Sequence, residues 1–225
     1  MKYPYDLHIH SVLSPDGDVL MTPNNIFNMA NIKGLKIISV TDHNTLKQIP
    51  VCLELAKSYD LLFIPGVEIT VKEGFDVLCY LKNAEDVLAV DHLLEVALPK
   101  QYYDTYVYGE QWVCNIDDEF IEEFPYLLIQ PLSISIKDLK NVLKPYPHIL
   151  IYAHLDRHSK SGKSYIHEYP LDGVEYKYQG LKKNKKDLYN SDAHQIIDIL
   201  ENSNANQIEL DDLSMDAFFR YFLHD

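Results

Sequence analysis

Residues 2–11 read KYPYDLHIHS, an apolar run that ends in two histidines two places apart and is followed by VLSPDGD. Alternation over YDLHI predicts a β-strand, and in a strand residues i and i+2 share a face, so His8 and His10 project to the same side. That is a chelating spacing for a metal ion, although paired core or surface histidines give the same pattern. The rest of the chain decides between these readings.

Working outward, TPNNIFNMANIKG predicts a helix with Thr22 at the N-cap, Pro23 at the first helical position and Gly34 just past the end. LKIISV predicts a second strand, NTLKQIPVCLELAKSYD a helix despite Pro50, LLFIPGVEI a third strand and FDVLCYL a fourth. Units of this kind imply parallel strands with helices outside, arranged as an open sheet or a barrel. The rhythm breaks at YVYGEQWVCNIDDEFIEEFPYLLI, where aromatic and β-branched residues surround Asp117-Asp118 and predict an inserted β-hairpin. It resumes with SIKDLKNVLK as a helix, HILIYAH and GVEYK as strands, and SDAHQIIDIL as a turn into a helix.

Every remaining motif histidine or acid falls at the C-terminal end of an expected strand: His43 in TDHNT, Glu68 in PGVEI, His154 in ILIYAH, and Asp192 with His194 in SDAH. In a β/α barrel those ends converge on one mouth, where active sites are built. So many imidazoles and carboxylates would repel one another and be poorly solvated without cations.

The stretches DLHIHS, TDH, PGVE, YAH and NSDAH, in that order, resemble the PHP (polymerase and histidinol phosphatase) family of metal-dependent phosphoesterases, in the form of its small stand-alone bacterial members. The resemblance implies a distorted (β/α)7 TIM-like barrel holding two to three divalent ions (zinc, manganese or iron), with one domain over residues 1–225 and an insertion at about 82–134. It further implies one ion on His8, His10, Glu68 and Asp192, with Glu68 bridging to a second ion that also uses His154. A third would take His43, His194 and a carboxylate from the PDGD turn, Asp16 by preference and Asp18 otherwise. Where the family usually carries a histidine, this chain has Asp76 in DVLCY. A carboxylate there favours harder ions such as manganese, magnesium or iron. Glu68 and Asp192 are the expected catalytic carboxylates.

The four carboxylates Asp16, Glu68, Asp76 and Asp192 would leave a site filled by three divalent ions cationic, able to draw a phosphate dianion. In the basic loop DRHSKSGKS, Arg157 and His158 are candidates for gripping phosphate oxygens. SGKS there is not the end of a P-loop, because Arg157 stands where that motif needs glycine. His92, His148, His167 and His224 belong to no motif, and LKKNKKD reads as a solvated charge run.

A net charge of −14 opposes long nucleic acid and anionic membrane surfaces and favours a small substrate. No stretch approaches the roughly 18 uninterrupted apolar residues of a membrane span, and no apolar leader opens the sequence, so a cytoplasmic protein is expected. Cys52, Cys79 and Cys114 show no zinc or disulfide spacing. The expected function is hydrolysis of a phosphomonoester metabolite by metal-activated water. The alternatives are a phosphodiesterase on short nucleotides or a non-catalytic module that binds metal or ligand.

Overall fold

The computed structural model describes residues 1–181 and 184–223; His224 and the pair Lys182-Lys183 of the charge run lie outside them. The first half follows the expected alternation: β1 (Lys2–Ile9), α1 (Pro23–Ile32), β2 (Ile37–Val40), α2 (Ile49–Ala56), β3 (Leu62–Phe63), β4 (Gly66–Thr70) and β5 (Asp76–Leu81). Two boundaries differ from the sequence reading. Pro50 sits in the first turn of α2, where its missing N–H costs nothing, so it marks a helix start and not a kink. Ile64-Pro65 splits the expected third strand into β3, which pairs with β2, and β4, which pairs with β5.

Next come α3 (Val87–Ala97), which the sequence reading did not separate, the short α4 (Thr105–Tyr108), and the expected hairpin, β6 (Trp112–Cys114) with β7 (Phe120–Glu123). Asp118 turns the hairpin with φ 61° and caps α1. Its carboxylate accepts from Asn24 N (2.9 Å) and Thr22 Oγ1 (2.5 Å). Thr22 is the N-cap by position, yet its own side chain makes no capping bond.

The chain then forms α5 (Ile136–Val142), β8 (His148–Tyr152), β9 (Gly173–Tyr176), β10 (Asp187–Tyr189), β11 (Gln207–Glu209) and α6 (Met215–Leu223). SDAHQIIDIL does not become a regular helix; only a single 3₁₀ turn forms, at Ile196–Asp198.

The strands make a four-stranded sheet in the order β11-β1-β2-β3 and a five-stranded sheet in the order β10-β9-β8-β5-β4, with the hairpin separate. The expectation of all-parallel strands is corrected here: β4 with β5, β5 with β8, and β1 with β11 run antiparallel. The link between β4 and β5 is too short for a crossover and can only reverse the chain. Two isolated parallel bridges, Ile9 to Ala193 and His43 to Glu68, join the sheets at their margins. Among the described residues no hydrogen-bonded ladder runs unbroken around a closed barrel.

Apolar alternation explains the layers. Leu78, Tyr80, Ile149 and Ile151 from one sheet meet Tyr5, Leu7 and Ile37 from the other, and Phe218 and Phe222 of α6 complete that cluster. Val77, Cys79, Leu81, Leu150 and Tyr152 face the second core, which the outer helices cover. On β1 the register against β2 slips between Asp6 and Ile9, so Ile9 joins the outer core although Tyr5 and Leu7 lie in the inner one. All three cysteines are buried and free.

Candidate metal centre

The two inter-sheet bridges are made by, or lie beside, the motif residues, so the site forms where the sheets meet. His8 and His10 converge as their spacing predicts, with Nε2 atoms 3.1 Å apart. Glu68 on β4 reaches both: Oε1 is 3.4 Å from His8 Nε2 and Oε2 is 3.3 Å from His10 Nε2. Asp192 Oδ1 is 3.4 Å from each of the same nitrogens.

On one side, His154 Nε2 lies 3.0 Å from Glu68 Oε1 and 3.4 Å from Asp76 Oδ2. On the other, Asp16 spans His43 Nε2 (3.5 Å) and His194 Nε2 (3.1 Å), and the His10 ring stacks on His194 at 4.2 Å. Three overlapping donor groups result: His8, His10 and Glu68; Glu68, Asp76 and His154; and His10, Asp16, His43 and His194. Asp18 is not drawn in, because its carboxylate accepts from Leu20 N within its own turn.

His154 and Asp192 both have positive φ, 27° and 51°, a conformation that non-glycine residues adopt rarely and at a cost of about 1–3 kcal/mol. The backbone is bent where it presents these side chains.

The donor set suits divalent ions. Among the described residues, the buried side-chain atoms without a hydrogen-bond partner are His43 Nδ1 and Nε2, Asp76 Oδ2, His154 Nδ1 and His194 Nε2, all at this site. Burial opposes a charged His43, but Glu68 and Asp16 outweigh it and push its pKa up to about 9. His154 rises to about 9 for the same balance, with Asp76 and Glu68 as the opposing groups. Glu68 is held well below the usual carboxylate range: burial raises it, and His8 and His43 more than reverse that. A metal-free site therefore recruits protons as its counter-charge, and these are what cations would replace.

The cavity at the mouth has a volume of about 380 Å³ and is lined by Asp16, His43, Glu68, Asp76, Ile129, Arg157, Lys160, Asp192 and His194. Arg157 reaches Asp192 Oδ2, Lys177 Nζ is 3.4 Å from the same oxygen, and Lys160 Nζ is 3.7 Å from Asp76 Oδ2. His158 does not join them. Arg157 N bonds back to His154 O, and that turn leaves His158 exposed and off the lining. Lys160 and Lys177 were not singled out from sequence, because nothing in their neighbourhood separates them from other loop lysines. His92 and His167 are exposed and His148 is half-buried, all away from the donor groups. A larger surface hollow of about 530 Å³ beside α5 contains none of the donors.

The sequence profile of the PHP domain matches residues 6–208. The chain belongs to the PHP domain family. Solved structures similar to this chain include a lesion-specific endonuclease (Endonuclease Q) from Pyrococcus furiosus, with TM-score 0.66 and 16% identity over 99% of this chain and 56% of that one. They also include a protein from Bifidobacterium adolescentis assigned as a metal-dependent phosphoesterase, with TM-score 0.61 and 16% identity over 96% of both chains. By sequence, an uncharacterized protein of Methanocaldococcus jannaschii is 34% identical over 77 residues, 31% of this chain and 45% of that one. The chain thus spans about half of the endonuclease, and the matched stretch covers less than half of the archaeal protein. At such identity the structural likenesses establish the PHP-type mixed α/β fold. No helix among the described residues is long and apolar enough to cross a membrane.

Proposed function

We propose that this PHP chain is a metal-dependent phosphomonoesterase acting on a small phosphorylated metabolite. The observation that carries this reading is Glu68, buried and shared between two donor groups, beneath a small cavity whose lining includes Arg157 and Lys160. We read His8, His10, Asp16, His43, Glu68, Asp76, His154, Asp192 and His194 as the ligands of two to three zinc, manganese or iron ions. When bound, such ions bring the pKa of water toward neutrality and polarise phosphoryl oxygens.

The chain's own groups supply the rest. Arg157 offers a planar fork to phosphate oxygens, and Lys160 and Lys177 add point charges. Glu68 and Asp192 are the carboxylates placed to orient the attacking water. Ile129 narrows the apolar side of the mouth. The cavity volume and the charge of −14 support a small substrate over duplex DNA. We also read residues 1–225 as one domain with an insertion at about 82–134. We also read the two sheets as a distorted barrel of the PHP type, and the isolated bridges at both sheet margins support that closure.

The test is hydrolysis of p-nitrophenyl phosphate, bis-p-nitrophenyl phosphate and an abasic DNA duplex by protein loaded with manganese or zinc. Preference for the monoester is expected. Preference for the diester would favour a phosphodiesterase on short nucleotides, and ion binding without turnover of any substrate would favour a non-catalytic module.

A further inference from the structure

Glu175 on β9 belongs to none of the donor groups and does not line the cavity, yet it is 1% exposed and its acceptor capacity is spent on the site. Its Oε1 and Oε2 lie 2.9 and 3.1 Å from His8 Nδ1. Oε2 also accepts from His154 N (2.8 Å), and Oε1 from Asn190 Nδ2 (2.7 Å). The Glu175 carbonyl accepts from Leu155 N at 2.9 Å, so one residue grips the backbone on both sides of the strained His154. Asn190 in turn accepts from Leu7 N (3.0 Å), tying the assembly to the strand that carries His8.

Resting on the metal-site reading above, we infer that Glu175 is a positioning residue that couples the two ion positions sharing Glu68. A carboxylate on Nδ1 keeps the ring proton there, which leaves the His8 Nε2 lone pair free and more basic toward an ion. The same carboxylate holds His154, a donor of the other position, through its backbone. Of the third group, His10, Asp16, His43 and His194, none has a hydrogen bond or ion pair to Glu175. Glu175→Gln keeps the shape but replaces one acceptor oxygen with an NH₂ donor. The amide cannot accept from His8, His154 and Asn190 together, and an NH₂ facing His8 Nδ1 would move the ring proton to Nε2.

Calorimetric titration of metal-free protein with manganese and with zinc, plus elemental analysis, tests this in wild type, Glu175→Gln, Glu175→Asp and Asn190→Ala. The His194→Ala variant identifies the titration step of the third position. Glu175→Gln is expected to weaken the two Glu68-sharing positions about 10- to 100-fold, the usual effect of removing a carboxylate behind a ligand, and to spare the third. Glu175→Asp should recover part of the loss. Asn190→Ala, which loosens Glu175 without touching a ligand, should give a smaller loss at the same two positions and serves if Glu175→Gln does not fold. Unchanged affinities in the variants would overturn the inference and leave the metal reading standing. So would equal weakening at all three positions accompanied by a lower metal-free melting temperature, which marks a merely structural role. A wild type that binds no ion would instead sink the metal reading itself.

Discussion

The two flanks of the site differ in chemistry and in access. The flank of His10, Asp16, His43 and His194 has three imidazoles to one carboxylate and opens to solvent at Asp16, whose side chain is 43% exposed. The flank of Glu68, Asp76 and His154 has two carboxylates to one imidazole, all about 1% exposed. Nitrogen-rich groups suit zinc or iron, and oxygen-rich groups suit manganese or magnesium. The contrast indicates that one pocket can offer two ions unlike environments, with Glu68 common to the centre and the buried flank.

Removing that shared residue should have the largest effect. Glu68→Gln should lower metal content and reduce kcat/KM on an aryl phosphate more than about 100-fold, beyond the usual effect of losing a group behind a ligand. Elemental analysis and initial rates check it, and wild-type turnover in a metal-depleted variant would break the comparison at its centre.

Chelation comes next. At ion concentrations about 100 times Kd, binding adds about 2.7 kcal/mol, so metal removal should lower Tm by roughly 5–10 °C for a domain of this size. Calorimetric melts before and after chelator treatment read this directly.

Asp76→His would make the buried flank resemble the open one. Its zinc-to-manganese preference should rise about tenfold, a difference of about 1.4 kcal/mol, while the His43 side stays unchanged. Identical titrations for variant and wild type would remove Asp76 from the ligand set.

pH and the metal-free protein come last. His43 on one flank and His154 on the other have folded pKa values raised to about 9 from an ordinary 6.5. A raised folded value contributes stability that is whole below pH 6.5 and is lost as pH climbs toward 9. Metal-free protein should therefore lose stability steadily across that window. Metal-loaded protein should not, since ions bind the deprotonated rings. Denaturant melts at pH 6 and pH 9 decide it, and equal slopes with and without metal would mean that ions do not displace those protons.

Local sequence carried much of this. Short apolar runs placed β1, β2, β5 and β8, and the i, i+2 rule aimed His8 and His10 together. The hairpin was legible from its aromatic strands around Asp117-Asp118. The same reasoning failed where the outcome depended on a partner far along the chain. Strand polarity is not legible there, because a short apolar run fits a buried strand of either direction. Thr22 does stand at the N-cap of α1, but the acceptor for Asn24 N comes from Asp118, 94 residues away.

The sequence by itself determined which residues could ligate and on which strand ends they stand, because side-chain chemistry and backbone period are local properties. Only the tertiary structure decided that His10 is shared between two donor groups, that Lys160 lines the mouth while Lys177 reaches Asp192, and that Glu175 backs His8 from 167 residues away. These depend on how two sheets meet along their margins, and no periodicity within one segment encodes a distance to another.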